Sequence, residues 1–163
     1  MVYILMGVSG AGKTLIGQKL TKKLGVPFYD GDDFHPEANV QKMASGKPLN
    51  DRDRQPWLEN LASKINEWNR EGGAILACSA LKKSYRKILM SNNTPDEATF
   101  IYLTGSPELI AGRLSERLDH FMPEELLASQ FEALEEPEDA IMVSVDQAPK
   151  EIVNEILEKL NSN

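Results

Sequence analysis

Eight residues near the start, Gly7-Val8-Ser9-Gly10-Ala11-Gly12-Lys13-Thr14, constrain this chain more than any other feature. They match G-x-x-x-x-G-K-S/T, a loop whose backbone N–H groups cradle phosphate. Such a loop has to leave a strand and open a helix. Val2-Tyr3-Ile4-Leu5-Met6 before it is a short apolar run of the buried-strand kind. Ile16, Leu20 and Leu24 after it are spaced four apart on one helical face, with Leu15 beside them. The glycines let the backbone turn tightly and bring N–H groups close to an anion, and the helix opening near Lys13 adds its positive end. Lys13 supplies a mobile charge for the outer phosphates, and the Thr14 hydroxyl can ligate Mg²⁺. A glycine-rich turn that binds nothing would need neither side chain. Gly7, Val8, Ser9, Gly10, Ala11, Gly12, Lys13 and Thr14 are therefore the expected phosphate-binding set.

The remainder alternates strand-like runs with helical stretches. Val26–Asp30 reads as a second strand, followed by an acidic turn, Asp30-Gly31-Asp32-Asp33. Pro36–Ser45 reads as a helix closed by Gly46 and Pro48. Leu58, Leu61, Ile65 and Trp68 mark an amphipathic helix over Asp53–Arg70, ended by Gly72-Gly73. Ala74–Cys78 is a third strand, Lys82–Met90 a basic helix and Thr99–Leu103 a fourth strand. Pro107–Leu118 and Pro123–Leu134 are helical, Ile141–Val145 is a fifth strand, and Ile152, Ile156 and Leu160 lie on a last helix. Strands buried on both faces and separated by helices predict an α/β fold with a parallel five-stranded sheet and helices on both faces. Ligands of such sheets bind beyond the carboxyl ends of the strands. The loops after strands one, two and three should thus converge.

A chain of 163 residues is expected to form one domain. Its net charge of −7 argues against a broad nucleic-acid-binding face. No apolar run is long enough to span a bilayer, and the start carries no secretory signal. The single cysteine, Cys78, allows no internal disulfide and fits a reducing compartment, so a cytoplasmic protein is expected. Cys78 itself reads as a small buried residue and not a nucleophile.

The acidic turn carries the next chemistry. Transfer of a phosphoryl group from ATP to an alcohol needs a group to accept the hydroxyl proton and a metal to bridge the phosphates. Asp30 and Asp32, two apart at a strand end, would point the same way in an extended stretch. Asp32 is assigned as general base and substrate ligand, and Asp30, with Thr14, to the Mg²⁺ shell. The other reading is an acidic turn that caps the next helix, and Asp33 suits that role alone. The third strand ends in Cys78-Ser79 without a carboxylate, which favours Asp30 for the metal. His35 touches substrate, holds the loop or acts as base, and a lone histidine next to proline is more often structural. Lys82 and Arg86 are four apart on one helical face and would receive an anionic group if that face looks into the cleft. A solvated basic face is the alternative, and it suits Lys83 and Lys87. Arg113 and Arg117 share a face ahead of the helix-breaking Asp119-His120-Phe121-Met122-Pro123. They fit either a hinged lid that closes over the nucleotide or an ordinary pair of surface helices.

These strings together resemble the gluconokinases. The resemblance rests on the loop with Asp30-Gly31-Asp32-Asp33-Phe34-His35-Pro36, Asn39, Lys42-Met43, Gly46-Lys47-Pro48-Leu49, Asp51-Arg52-Asp53-Arg54 and Pro56-Trp57-Leu58. It continues through Ala77-Cys78-Ser79-Ala80-Leu81-Lys82, Tyr85-Arg86, Arg113, Arg117, His120-Phe121-Met122, Ser129-Gln130 and Leu134-Glu135, nearly the whole chain. It implies a three-layer P-loop kinase fold like that of shikimate kinase, sheet order 2-3-1-4-5, with a helical lid at about residues 113–136 inserted in a single domain of residues 1–163. It also implies ATP- and Mg²⁺-dependent phosphorylation of D-gluconate, and a homodimer. By that resemblance Asp32 engages gluconate hydroxyls, Arg54 with Lys82 and Arg86 its carboxylate, and Arg113 and Arg117 are the lid arginines. Competing readings are a shikimate-type or nucleoside monophosphate kinase, and a nucleotide-dependent switch. The N-K-x-D and D-x-x-G strings usual in GTPase switches are absent from the sequence.

Overall fold

Strands and helices alternate along the chain in the computed structural model, which describes residues 1–116 and 124–162. The order is β1 (Val2–Met6), α1 (Lys13–Leu24), β2 (Phe28–Asp30), a 3-10 turn (Gly31–Phe34), α2 (Glu37–Ala44), α3 (Asp51–Arg70), β3 (Ala74–Ala77) and α4 (Lys83–Leu89). Then follow β4 (Ala98–Thr104), α5 (Pro107–Ser115), α6 (Glu124–Ala133), β5 (Ile141–Ser144) and α7 (Pro149–Asn161). The sheet is parallel with order β2-β3-β1-β4-β5, as the resemblance implied.

Alternation along the strands divides the core in two. Val2, Ile4 and Met6 of β1 pack with Leu76 of β3 against Trp57, Leu58, Leu61 and Ile65 of α3 and Leu89 of α4. Leu5 and Ile75 point to the other face, where Ile16 and Leu20 of α1 and Ile152 and Ile156 of α7 cover them with Ile101 and Val143. β1 has β3 on one side and β4 on the other. The strand order reverses at β1, and the loop that leaves its carboxyl end lies at that switch point, where α/β sheets open a crevice.

Most boundaries differ from expectation by one to three residues, each for a local reason. Strand two is shorter, Phe28–Asp30, since Pro27 precedes it and can donate no ladder bond. Helix α3 starts at Asp51 instead of Asp53, because Asn50 caps it. The Asn50 carboxamide accepts from Asp53 N at 2.8 Å, and the Asp53 carboxylate accepts from Asn50 N at 2.9 Å, a reciprocal capping box. The expected acidic turn is a 3-10 turn instead of extended chain. The segment expected to link α5 to α6, including Arg117, Asp119, His120, Phe121, Met122 and Pro123, lies outside the described residues.

Candidate active site

The loop from Gly7 to Thr14 turns through backbone conformations that select its glycines. Gly10 has φ +87°, and a Cβ there would stand 2.8 Å from Leu114 Cγ, so the loop seats directly on α5. Gly12, at φ +98°, ends the loop immediately before α1. Lys13 folds back: its ammonium donates to Gly7 O at 2.7 Å and Val8 O at 3.1 Å. Burial lowers its pKa to about 8, against the opposing pull of Asp32 and Asp30 among its anionic neighbours. Two carbonyls thus satisfy a desolvated ammonium.

Lys13 and Thr14 form one wall of a cavity of about 780 Å³, and Asp30, Asp32 and His35 line it too. Asp30 and Asp32 do meet in one site, although not through the extended geometry expected. Asp30 Oδ1 accepts from Asp32 N at 3.0 Å and so caps the 3-10 turn, the role considered for Asp33. Trp57 Nε1 donates to Gly31 O at 2.8 Å and pins this turn to α3. The Asp32 side chain is 84% exposed, open to the cavity. The surrounding walls nevertheless withdraw bulk water from it, and with the Asp30 charge they raise its pKa above the ordinary carboxylate range.

His35 stacks on Trp57, with ring centroids 4.1 Å apart, and Asn39 Nδ2 lies 3.2 Å from its Nδ1. Burial lowers the His35 pKa, which keeps the ring neutral at pH 7. With Nδ1 accepting from Asn39, the proton belongs on Nε2, 4.0 Å from Asp32 Oδ1 and too far for a direct hydrogen bond.

A group of cations also lines the cavity. Arg54, in the first turn of α3, donates to Leu49 O at 2.9 Å and to the Tyr85 hydroxyl at 3.3 Å. Lys82 donates to Asp51 at 3.1 Å, and both cations stand over the Tyr85 ring, 5.6 and 5.5 Å from its centroid. The Tyr85 hydroxyl donates to Asp51, and this bond, with that of Lys82, holds the Asp51 carboxyl below its ordinary range. Arg54, Lys82 and Tyr85 all line the cavity.

Arg86 corrects the expectation. It is 8% exposed, does not line the cavity, and shares no cleft-facing surface with Lys82. Its guanidinium donates to Ala80 O at 2.7 Å, Leu81 O at 3.2 Å and Glu135 O at 2.7 Å. Ala80 sits at φ +47°, the one non-glycine residue at positive φ among the described residues. Arg86 therefore braces a strained turn behind the cavity, with no donors aimed into the cleft. Arg113, in the last turn of α5, does not line the cavity either. Cys78 is buried beneath the site, and burial pushes its thiol up to about 12, so it stays protonated.

Sequence reasoning gave no role to Tyr85 or Gln130. Gln130 of α6 lines the cavity and hydrogen-bonds Ser9. No local pattern announces a contact that spans 121 residues. Both residues stood only within strings that carried the family resemblance.

A parallel sheet in this order, a phosphate loop at its switch point and carboxylates facing that loop's lysine define a P-loop phosphotransferase. Residues 9–161 match the family model described as shikimate kinase. The thermoresistant gluconokinase of Escherichia coli (strain K12) is 41% identical, covering 96% of this chain and 91% of that protein. The gluconokinase of Arabidopsis thaliana is 44% identical, covering 96% and 90%. A gluconokinase crystal structure from Sinorhizobium meliloti 1021 superposes with a TM-score of 0.86 at 40% identity, covering 99% of this chain and 91% of that one. Shikimate kinase from Aquifex aeolicus, at 20% identity and a TM-score of 0.61, shares the fold. The chain belongs to the gluconokinase family, within the wider shikimate-kinase group of P-loop kinases.

Proposed function

We propose that this enzyme transfers the γ-phosphoryl group of ATP to a hydroxyl of D-gluconate, giving ADP and 6-phospho-D-gluconate. The observation that carries this reading is one cavity lined by Lys13 and Thr14, by the exposed carboxylate of Asp32, and by Arg54 and Lys82. The gluconokinase relatives support the choice of acceptor.

In this reading the amides of the Gly7–Thr14 loop hold the phosphates. Lys13 exchanges its two carbonyl partners for the outer phosphate oxygens. Asp32 accepts the proton of the attacking hydroxyl while it orients the acceptor, and neutral His35 lines the same pocket as a second contact. Arg54 and Lys82 receive the gluconate carboxylate, and Tyr85 keeps their charges side by side. Arg86 acts here by shaping the Ala80–Leu81 turn and not by touching substrate. Arg113, with Arg117 carried over on the resemblance alone, serves a lid at about residues 113–136 within a single kinase domain of residues 1–163.

Thr14 and Asp30 are the candidate Mg²⁺ ligands. Both line the cavity, and one Asp30 oxygen is left after the capping bond to Asp32 N. Among the described residues no group of three or more acidic, histidine or cysteine side chains could hold a metal. That sparse donor set suits Mg²⁺, which keeps waters and takes much of its coordination from substrate phosphates. When bound, the ion would neutralise charge on the β- and γ-phosphates. We also place the enzyme in the cytoplasm as a homodimer. The buried, unpaired Cys78 suits a reducing compartment, and the dimer rests on the family resemblance.

A coupled ADP assay with gluconate, shikimate and AMP as acceptors tests the assignment. Gluconate is expected to give the highest kcat/KM, and faster turnover of shikimate or AMP would reject it.

A further inference from the structure

The carboxamide of Gln130 reaches the phosphate loop from α6. Its Oε1 accepts from Ser9 N at 2.7 Å, and its Nε2 donates to Ser9 Oγ at 3.0 Å. Elsewhere in the loop, Ala11 N donates to Val8 O and Gly7 N to Ser79 O. Among the described residues, no protein group accepts from the N–H groups of Gly10, Gly12, Lys13 and Thr14. Gln130 thus takes one amide of the loop and leaves these four for an anion.

The loop is gripped from two sides. Gly10 rests on Leu114 and Ile110 of α5, an apolar contact, while Ser9 is held by the polar contact from α6. Helix α6 is docked on the core as well. Leu127 is 5% exposed within the core, and just past the helix Glu135 N donates to Leu81 O at 2.8 Å. A movement of α6 must therefore break the bonds to Ser9 or carry the loop along. A carboxamide suits the position because it offers an acceptor to the amide and a donor to the hydroxyl without adding charge beside a polyphosphate.

We propose that Gln130 is a positioning residue for nucleotide binding. It fixes the conformation of the loop at Ser9 and makes the docking of α6 depend on nucleotide occupancy. Coupling of this kind is reciprocal: if a docked α6 favours the nucleotide, the nucleotide favours a docked α6. The inference rests on the nucleotide-binding reading of the loop and not on the identity of the acceptor.

Gln130→Met keeps side-chain length and helix propensity while removing both hydrogen bonds. Titration of the full-length protein with a non-hydrolysable ATP analogue should show affinity about 10- to 100-fold weaker than wild type, from the loss of two hydrogen bonds. Hydrogen exchange adds a readout that simple packing would not move. The analogue should slow exchange of the amides of residues 124–133 in wild type and not in the variant. Wild-type affinity together with wild-type protection in Gln130→Met would overturn the proposal. Gln130→Glu decides the matter if the methionine variant does not fold. It preserves an acceptor for Ser9 N but sets a negative charge beside the phosphates, so its affinity deficit should be largest at low salt and shrink as salt screens the charge. Wild-type affinity at low salt in Gln130→Glu likewise overturns the proposal. A wild-type protein that binds no analogue would instead sink the nucleotide-binding reading and this inference with it.

Discussion

Asp32 and Lys13 line one cavity and feel each other's charge, with pKa values displaced in opposite directions, and that pairing makes the pH profile informative. Asp32 must be deprotonated to accept a hydroxyl proton, and its pKa lies above the ordinary carboxylate value of about 4. Activity should therefore fall on acidification at a higher pH than an unperturbed aspartate would dictate. In the proposed role Lys13 must be protonated to hold phosphate, and its pKa in the protein is about 8. The pH dependence of kcat/KM, which reports the free enzyme, should show an alkaline limb near that value. In kcat that limb should move to higher pH, because bound phosphates restore the ammonium. Coincident alkaline limbs in the two profiles would argue against Lys13 as the titrating group. Asp32→Asn should retain binding of an ATP analogue and lose about 10²–10⁴-fold in kcat, the usual range for general-base catalysis. Titration with the analogue and a steady-state assay with gluconate check the two halves. The candidates for these roles were legible before any coordinates, since the proposed chemistry follows from residue type beside a phosphate loop. The capping bond from Asp30 to Asp32 N was not, because the choice between extended chain and a 3-10 turn depends on Trp57 pulling Gly31 onto α3.

At the scale of elements, periodicity located every strand and helix among the described residues, and caps decided the ends. Helix α3 begins at Asp51, two residues before the expected start at Asp53, because the Asn50–Asp53 box sets the start. Arg86 shows where pattern reasoning fails. Spacing by four places Lys82 and Arg86 on one face only if both lie inside the helix. Lys82 is instead the residue before its first turn, extended at φ −99° and ψ 145°, which separates the two side chains. Arg86→Ala should therefore act on stability. Three carbonyls lose their donor, and Ala80 loses the contact that holds it at positive φ. The expected loss is roughly 2–4 kcal/mol, a fall in Tm of roughly 5–15 °C for a domain of this size. At a temperature where the variant is still folded, KM for gluconate should stay within about twofold of wild type. A KM rise of tenfold or more with normal thermal stability would restore Arg86 to the substrate site.

The whole molecule gathers its site beyond the carboxyl ends of the parallel strands, where the strand order reverses at β1, which the alternation of strands and helices predicted. Sequence could not foresee the electrostatic cost carried in the site. Lys13 is a cation in a desolvated position, and the folded protein holds it at a pKa of about 8 against the ordinary lysine value of 10.5. The sign of its effect follows from proton counting. Below about pH 8 both folded and unfolded chains carry the charge, and the folded state bears the full desolvation penalty. Between there and about pH 10.5 the unfolded chain binds more protons, so the penalty fades as pH rises. Lys13→Met should accordingly leave the ligand-free protein at least as stable as wild type at pH 7, with the difference shrinking above pH 8. The same variant should lose the stabilisation that nucleotide confers. An ATP analogue at 100 times its Kd should stabilise wild type by about 2.7 kcal/mol, or roughly 5–11 °C in Tm, and the variant by far less. Thermal scans at pH 7 and pH 9, with and without the analogue, separate the two effects. A variant melting well below wild type without nucleotide would mean that the bonds from Lys13 to Gly7 O and Val8 O outweigh its desolvation. A variant stabilised by the analogue as strongly as wild type would remove Lys13 from the phosphate site.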